Sequence, residues 1–175
     1  MGRISRLLLI AAIVVASIGF DQITKLIATL LLRDVPGGYS YVGDTIRLVY
    51  SENPGSFLGL GGDLPAGARF AVFIVGVGLL LFALFIYIAR TDRPPPAIVT
   101  GVGLILGGGL SNWGDRIVNG NVVVDFMNVG LGSLRTGIFN VADLLIEAGM
   151  IVLIVSTWRA SPTPATQPEM EPAER

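Results

Sequence analysis

Four long apolar stretches separated by polar segments dominate the chain: Leu7 to Leu32, Phe70 to Ala89, Ala97 to Trp113 and Ile138 to Trp158. Each is close to the about 20 apolar residues that a helix needs to cross a bilayer core about 30 Å thick. The pattern predicts a mostly α membrane protein, a four-transmembrane-helix bundle forming a single membrane domain over residues 1–159. The first stretch also has features of a cleaved signal peptide, with Arg3 and Arg6 before it and the small residues Ala16 and Ser17 inside it. It continues through Ile23, Leu26, Ile27 and Leu30, longer than a signal peptide's apolar core, and this favours a span.

Between the spans the period changes from helical to alternating. Residues 39–50 read YSYVGDTIRLVY, two short runs of aromatic and branched residues around Gly43-Asp44, which predicts a hairpin. Residues 116–126 read RIVNGNVVVDF, and Asn119-Gly120 predicts a second hairpin there. Together they make a small β-hairpin platform, which either caps the bundle or offers strand edges to an extended peptide. Pro94, Pro95 and Pro96 impose a stiff connection between the second and third spans. Residues 160–175, with four prolines among Ser, Thr, Gln and Glu, are expected to be a disordered tail. Arginines in the short flanks, Arg3, Arg6, Arg90, Arg93, Arg159 and Arg175, place both termini in the cytoplasm and the platform on the outer face.

Composition narrows the chemistry. The chain is 52% hydrophobic and 14% charged, with a net charge of -1 and no basic stretch, which argues against nucleic acid as a partner. It contains no His and no Cys, so the usual zinc ligands, thiol nucleophiles and Ser-His dyads are gone. Carboxylates, Lys, hydroxyls and backbone are left to carry any chemistry. Gly101, Gly103, Gly107, Gly108 and Gly109 stripe the third span, with Gly103 and Gly107 at the spacing that lets helices approach closely.

Against this background six charges stand out, because an ionised group inside a membrane costs several kcal/mol unless it has a partner or a purpose. They are Asp21, Lys25, Asp115, Arg116, Asp143 and Glu147. Asp21 and Lys25 share a helix face and can pair. Asp115 and Arg116 suit an interfacial ion pair or a clamp on backbone. With a helix starting at Ile138, Asp143 would lie about 8 Å below its outer end. Asp125 precedes the same helix, so two carboxylates from separate elements can converge at the membrane edge. An aspartic peptidase needs this arrangement, one carboxylate taking a proton from water and the other giving one to the substrate carbonyl. Two other readings remain open at this level. One is a Ser-Lys peptidase using Lys25 with Ser56 or Ser111; the other is a transporter with a path along Asp21, Lys25, Asp143 and Glu147.

Five segments, in order, resemble the lipoprotein signal peptidases (signal peptidase II): FDQITK (20–25), ENPGSF (52–57), GGGLSNWGDR (107–116), VVDF (123–126) and FNVAD (139–143). The resemblance implies a membrane aspartic endopeptidase of the bacterial cytoplasmic (inner) membrane. It would remove signal peptides from diacylglyceryl-modified prolipoproteins by cleaving before the lipidated Cys, near the outer leaflet. It implies Asp125 and Asp143 as the catalytic dyad, and Asp21, Lys25, Asn53, Gly55, Gly108, Asn112, Asp115, Arg116 and Asn140 as substrate-binding or supporting residues. Its expected partners are prolipoproteins and membrane lipid, with no cofactor, no metal and a monomeric chain. Ser56, Ser111 and Gly114 depart from the family's usual residues without touching the dyad.

Overall fold

The computed structural model of the protein describes residues 2–56 and 59–160. The expected tail lies outside these residues apart from Ala160, which closes the last helix. Four helices are long and apolar enough to cross a membrane: α1 (Arg3–Leu32), α2 (Ala66–Arg90), α3 (Pro96–Val118) and α4 (Val141–Ala160). Four strands, β1 (Tyr39–Tyr41), β2 (Ile46–Asn53), β3 (Val123–Leu131) and β4 (Leu134–Arg135), form one antiparallel sheet in chain order. All of them fall in the α1–α2 and α3–α4 connections, so the sheet sits at one end of the bundle. The expected architecture of four spans with a small β platform is what folds.

α3 is the central helix, its glycines serving as contact points on three sides. A Cβ at Gly103 would press on Ile13, one at Gly107 on Ser17 and one at Gly109 on Leu81. Gly101 and Gly149 face each other's backbone carbonyls, and Gly108 lies against the backbone of Ala142. Small residues allow this approach because lipid offers no hydrophobic drive between helices and packing must hold them together. Ile10, Leu81, Ile88, Val99, Val102 and Leu106 fill the core between α1, α2 and α3. The outward faces carry exposed Leu8, Phe20, Leu80, Phe82 and Ile151, as suits an apolar solvent.

At the far end from the sheet, the buried Arg6 of α1 donates to the carbonyls of Ala89 and Thr91 at 2.8 and 2.6 Å. It thereby satisfies acceptors that the end of α2 leaves open. α2 contains a π-helical segment, Phe70–Gly76, and the Ile74 carbonyl in it accepts Nε1–H of Trp113 on α3 at 2.8 Å.

Two expectations are corrected. Asn119-Gly120 does not turn a hairpin, because α3 runs through Val118 and these residues end it. The Asn121 N–H donates to the Arg116 carbonyl at 2.8 Å across Gly120 at φ 67, the usual way a glycine stops a helix. β3 instead pairs with β2 and turns into β4 at Gly132, φ 56. The fourth helix begins at Val141 rather than Ile138, because Phe139 bridges to Met127 of β3. The Gly43-Asp44 hairpin forms as expected, both residues at positive φ.

Candidate active site

Asp125 lies on β3 at a bulge. The N–H groups of Phe126 and Met127 both donate to the Phe139 carbonyl, at 3.0 and 2.9 Å, so one acceptor faces two consecutive residues. The extra residue breaks the alternation of the strand: Val123 and Asp125 are buried, and so are Phe126 and Asn128. Such bulges re-aim side chains, and this one turns Asp125, 2% exposed, toward the start of α4.

That start is built around Asn140. Its Oδ1 accepts the Asp143 N–H at 3.0 Å, while its own N–H donates to Asp143 Oδ2 at 3.1 Å, a reciprocal capping box. Asp143 is therefore in the first turn of α4, at the helix mouth and not the further turn down that a start at Ile138 implied. Asn140 Nδ2 donates to Asp125 Oδ1 at 2.6 Å, so this one fully buried residue holds both carboxyl groups, Asp125 through its side-chain amide and Asp143 through its backbone N–H. The remaining oxygens are engaged too: Asn112 Nδ2 reaches Asp143 Oδ1 at 2.9 Å, and Asn53 Nδ2 reaches Asp125 Oδ2 at 2.9 Å.

Behind the pair lies a buried ionic cluster. Lys25 Nζ donates to Asp21, Asp115 and Asn112, each at 2.7 Å. Its three protons are thus used, and Asn112 is left with its amide N–H aimed at Asp143. Asp21 also accepts the Ala142 N–H at 2.8 Å and the Ser111 hydroxyl at 2.7 Å, fastening α1 to α4 and α3. Asp115 pairs with Lys25 and not with its neighbour. Arg116 is the backbone clamp, donating to the Asn112 and Gly55 carbonyls at 3.1 and 2.5 Å and stacking 5.3 Å from the Phe73 ring centroid. Gly55 in turn donates its N–H to Asn53 Oδ1 at 2.9 Å, and a Cβ there would strike the backbone of Gly59. Gly108 touches α4 and supports the site by packing alone.

Sequence reasoning missed Gln22, which donates to Asp115 at 2.8 Å and to Ser111 at 3.1 Å. Its position three residues before Lys25 on one helix face was the available signal. The Ser-Lys alternative has no geometry to use: the Ser111 hydroxyl serves Asp21, and Lys25, an ammonium donating to three acceptors, has no lone pair to take a proton from a serine.

Both carboxyl groups line a groove of about 470 Å³ that also takes in Ser56, Phe73, Trp113, Leu144 and Glu147. Burial pushes the Asp125 carboxyl up to about 6, aided by the nearby Asp143; hydrogen bonds from Asn53 and Asn140 and the charge of Lys25 oppose it. A pair of carboxyl groups with one proton between them can act as base and acid together.

Residues 13–159 match the family model for signal peptidase (SPase) II. The chain belongs to the signal peptidase II family. It is similar to the lipoprotein signal peptidase of Chlorobium phaeobacteroides (strain BS1), 35% identical over 84% of this chain and 92% of the relative. That of Treponema pallidum (strain Nichols) is 30% identical over 85% of this chain and 82% of the relative. A bacterial membrane enzyme solved by the in meso method at 2.3 Å resolution shares the fold, with a TM-score of 0.75, 23% identity and coverage of 93% and 94%. As a signal peptidase II, the protein is an aspartic peptidase that cleaves signal peptides from prolipoproteins.

Proposed function

We propose that this signal peptidase II cleaves diacylglyceryl-modified prolipoproteins immediately before the lipidated Cys, using Asp125 and Asp143 as its catalytic pair. The observation that carries this reading is Asn140, whose amide bonds Asp125 while its Oδ1 and N–H cap Asp143. The pair titrates as a unit. In this reading one proton is shared by the pair, burial favouring its retention at Asp125, and the roles of acid and base fall to Asp125 and Asp143 respectively.

Asp143 takes a proton from water as the water oxygen attacks the scissile carbonyl carbon, and Asp125 gives its proton to the carbonyl oxygen. In the resulting tetrahedral diol the C–N bond breaks as Asp143 passes its proton to the leaving amine. The carbonyl re-forms and returns a proton to Asp125. The signal peptide leaves with a new carboxyl end and the lipidated Cys with a new amino end.

The site belongs at the outer leaflet, with both termini in the cytoplasm. Arg6, Arg90 and Arg93 lie at the end of the bundle opposite the sheet, in agreement with the bias of basic residues toward the cytoplasm. The diacylglyceryl group stays in the surrounding lipid, and one chain, acting as a monomer, supplies every residue named above. Purified enzyme in detergent with excess chelator should cleave a diacylglyceryl prolipoprotein. Asp125→Asn and Asp143→Asn should each lose about 10²–10⁴ in turnover, the range general acid-base groups supply. Near-normal turnover in either variant, with the fold intact, overturns the pair.

A further inference from the structure

Of the six charged residues at membrane depth, five have partners on the protein. Asp21, Lys25 and Asp115 pair with one another, Arg116 clamps carbonyls, and Asp143 is held by Asn112 and Asn140. Glu147 makes no hydrogen bond or ion pair among the described residues. Its side chain is exposed, yet it lies in the second turn of a membrane-spanning helix. It lines the groove that holds the two carboxyl groups, on the same helix face as Asp143.

The rest of the groove's membrane side offers it nothing. Phe73, Val77, Gly109, Leu144 and Ile146 have no polar side-chain group, and the Trp113 indole N–H is spent on the Ile74 carbonyl. A carboxyl group kept at this depth without a partner is expensive, so its partner must arrive from outside the chain. The groove is where substrate goes.

We propose that Glu147 is a specificity-determining residue that accepts a hydrogen bond from a donor side chain, Ser, Thr or Lys, on the signal-peptide side of the scissile bond. This rests on the function proposed above. Glu147 is four positions after Asp143 on α4, about 6 Å along the helix axis. A substrate strand extended along the groove advances about 3.3 Å per residue. The donor that Glu147 reads is therefore about two residues before the cleavage position, on the stretch of chain entering the membrane.

The test is a set of diacylglyceryl prolipoproteins identical except for one Ser or Lys, in place of Val, walked through the second to fifth positions before the cleaved bond. With wild-type enzyme the donor at the second or third position should raise kcat/KM about tenfold over the all-apolar parent, and donors elsewhere should not. Glu147→Leu should cleave donor and apolar substrates within twofold of each other. Glu147→Gln, which keeps an acceptor of the same length, should retain the preference for Ser and lose most of that for Lys. A positional profile that is flat for wild type, or unchanged in Glu147→Leu, overturns the inference while leaving the catalytic pair standing. Failure of wild type to cleave any substrate overturns both.

Discussion

Asn140 donates its side-chain N–H to Asp125 at 2.6 Å from the first position outside α4, while its other amide atom fixes the N–H of Asp143. A strand residue and a helix residue are thereby held by one planar group, and the geometry of the pair depends on that group more than on either backbone.

Asn140→Ala removes the bridge and the cap together. A lost N-cap costs about 1 kcal/mol. Turnover should fall by two orders of magnitude or more, because reacting groups tolerate little misplacement. Asn140→Asp should recover the cap and not the activity, since a carboxylate there accepts from Asp143 N–H but has no proton to give Asp125. Thermal denaturation alongside turnover separates the two effects.

The pH profile has a definite sign. Asp125 is raised from 3.8 to about 6, so the folded protein holds this proton more tightly than the unfolded chain. Stability contributed by this group is therefore greatest below about pH 4 and falls as pH rises toward about 6. Above about 6 the shared proton is lost, and kcat/KM should decline on the alkaline side with that midpoint. The Asn53 hydrogen bond lowers the Asp125 value, so Asn53→Ala should move the alkaline limb to higher pH. An unmoved limb in that variant would count against Asp125 as the acid.

Lys25→Met leaves Asp21 and Asp115 buried without their cation. Breaking a buried pair typically costs about 3–5 kcal/mol. The variant should melt well below wild type in detergent, with turnover lowered because Asn112 loses the shorter of the two hydrogen bonds that orient it toward Asp143, keeping only that from Asn140 at 3.2 Å.

Gly108→Val should destabilise by about 1–3 kcal/mol, the usual penalty of overpacking, because the new side chain meets the α4 backbone at Ala142. It should also cut turnover by displacing the start of α4. Gly19→Ala, on a face with nothing within 4 Å, should be neutral or mildly stabilising in the same assays.

The four spans were legible because lipid selects length and hydropathy with little regard to detail; Asp143 stood out as a costly charge, and the approach of Asp125 to it was legible from its place just before the same helix. What failed was local. Asn119-Gly120 satisfies a hairpin and a helix stop equally well, since both need a residue at positive φ, and only the continuation of α3 to Val118 decides between them. Ile138 and Phe139 extend an apolar run that suits a helix, yet Phe139 is tied to the bulge in β3. Gln22 escaped notice, and Ser111 reads as a nucleophile and not as a partner of Asp21, because a polar side chain announces a buried network only when its partners, here ninety or so positions away, are known.

Arg6 sets an order of events during biosynthesis. Its guanidinium rests on Ala89 and Thr91, more than eighty residues later in the chain. As α1 leaves the ribosome these acceptors do not yet exist, so Arg6 cannot be buried as it is in the finished fold until α2 has been made. The first helix is delivered early and locked late, and the hairpin of α1 and α2 is the smallest unit in which its guanidinium finds both carbonyls.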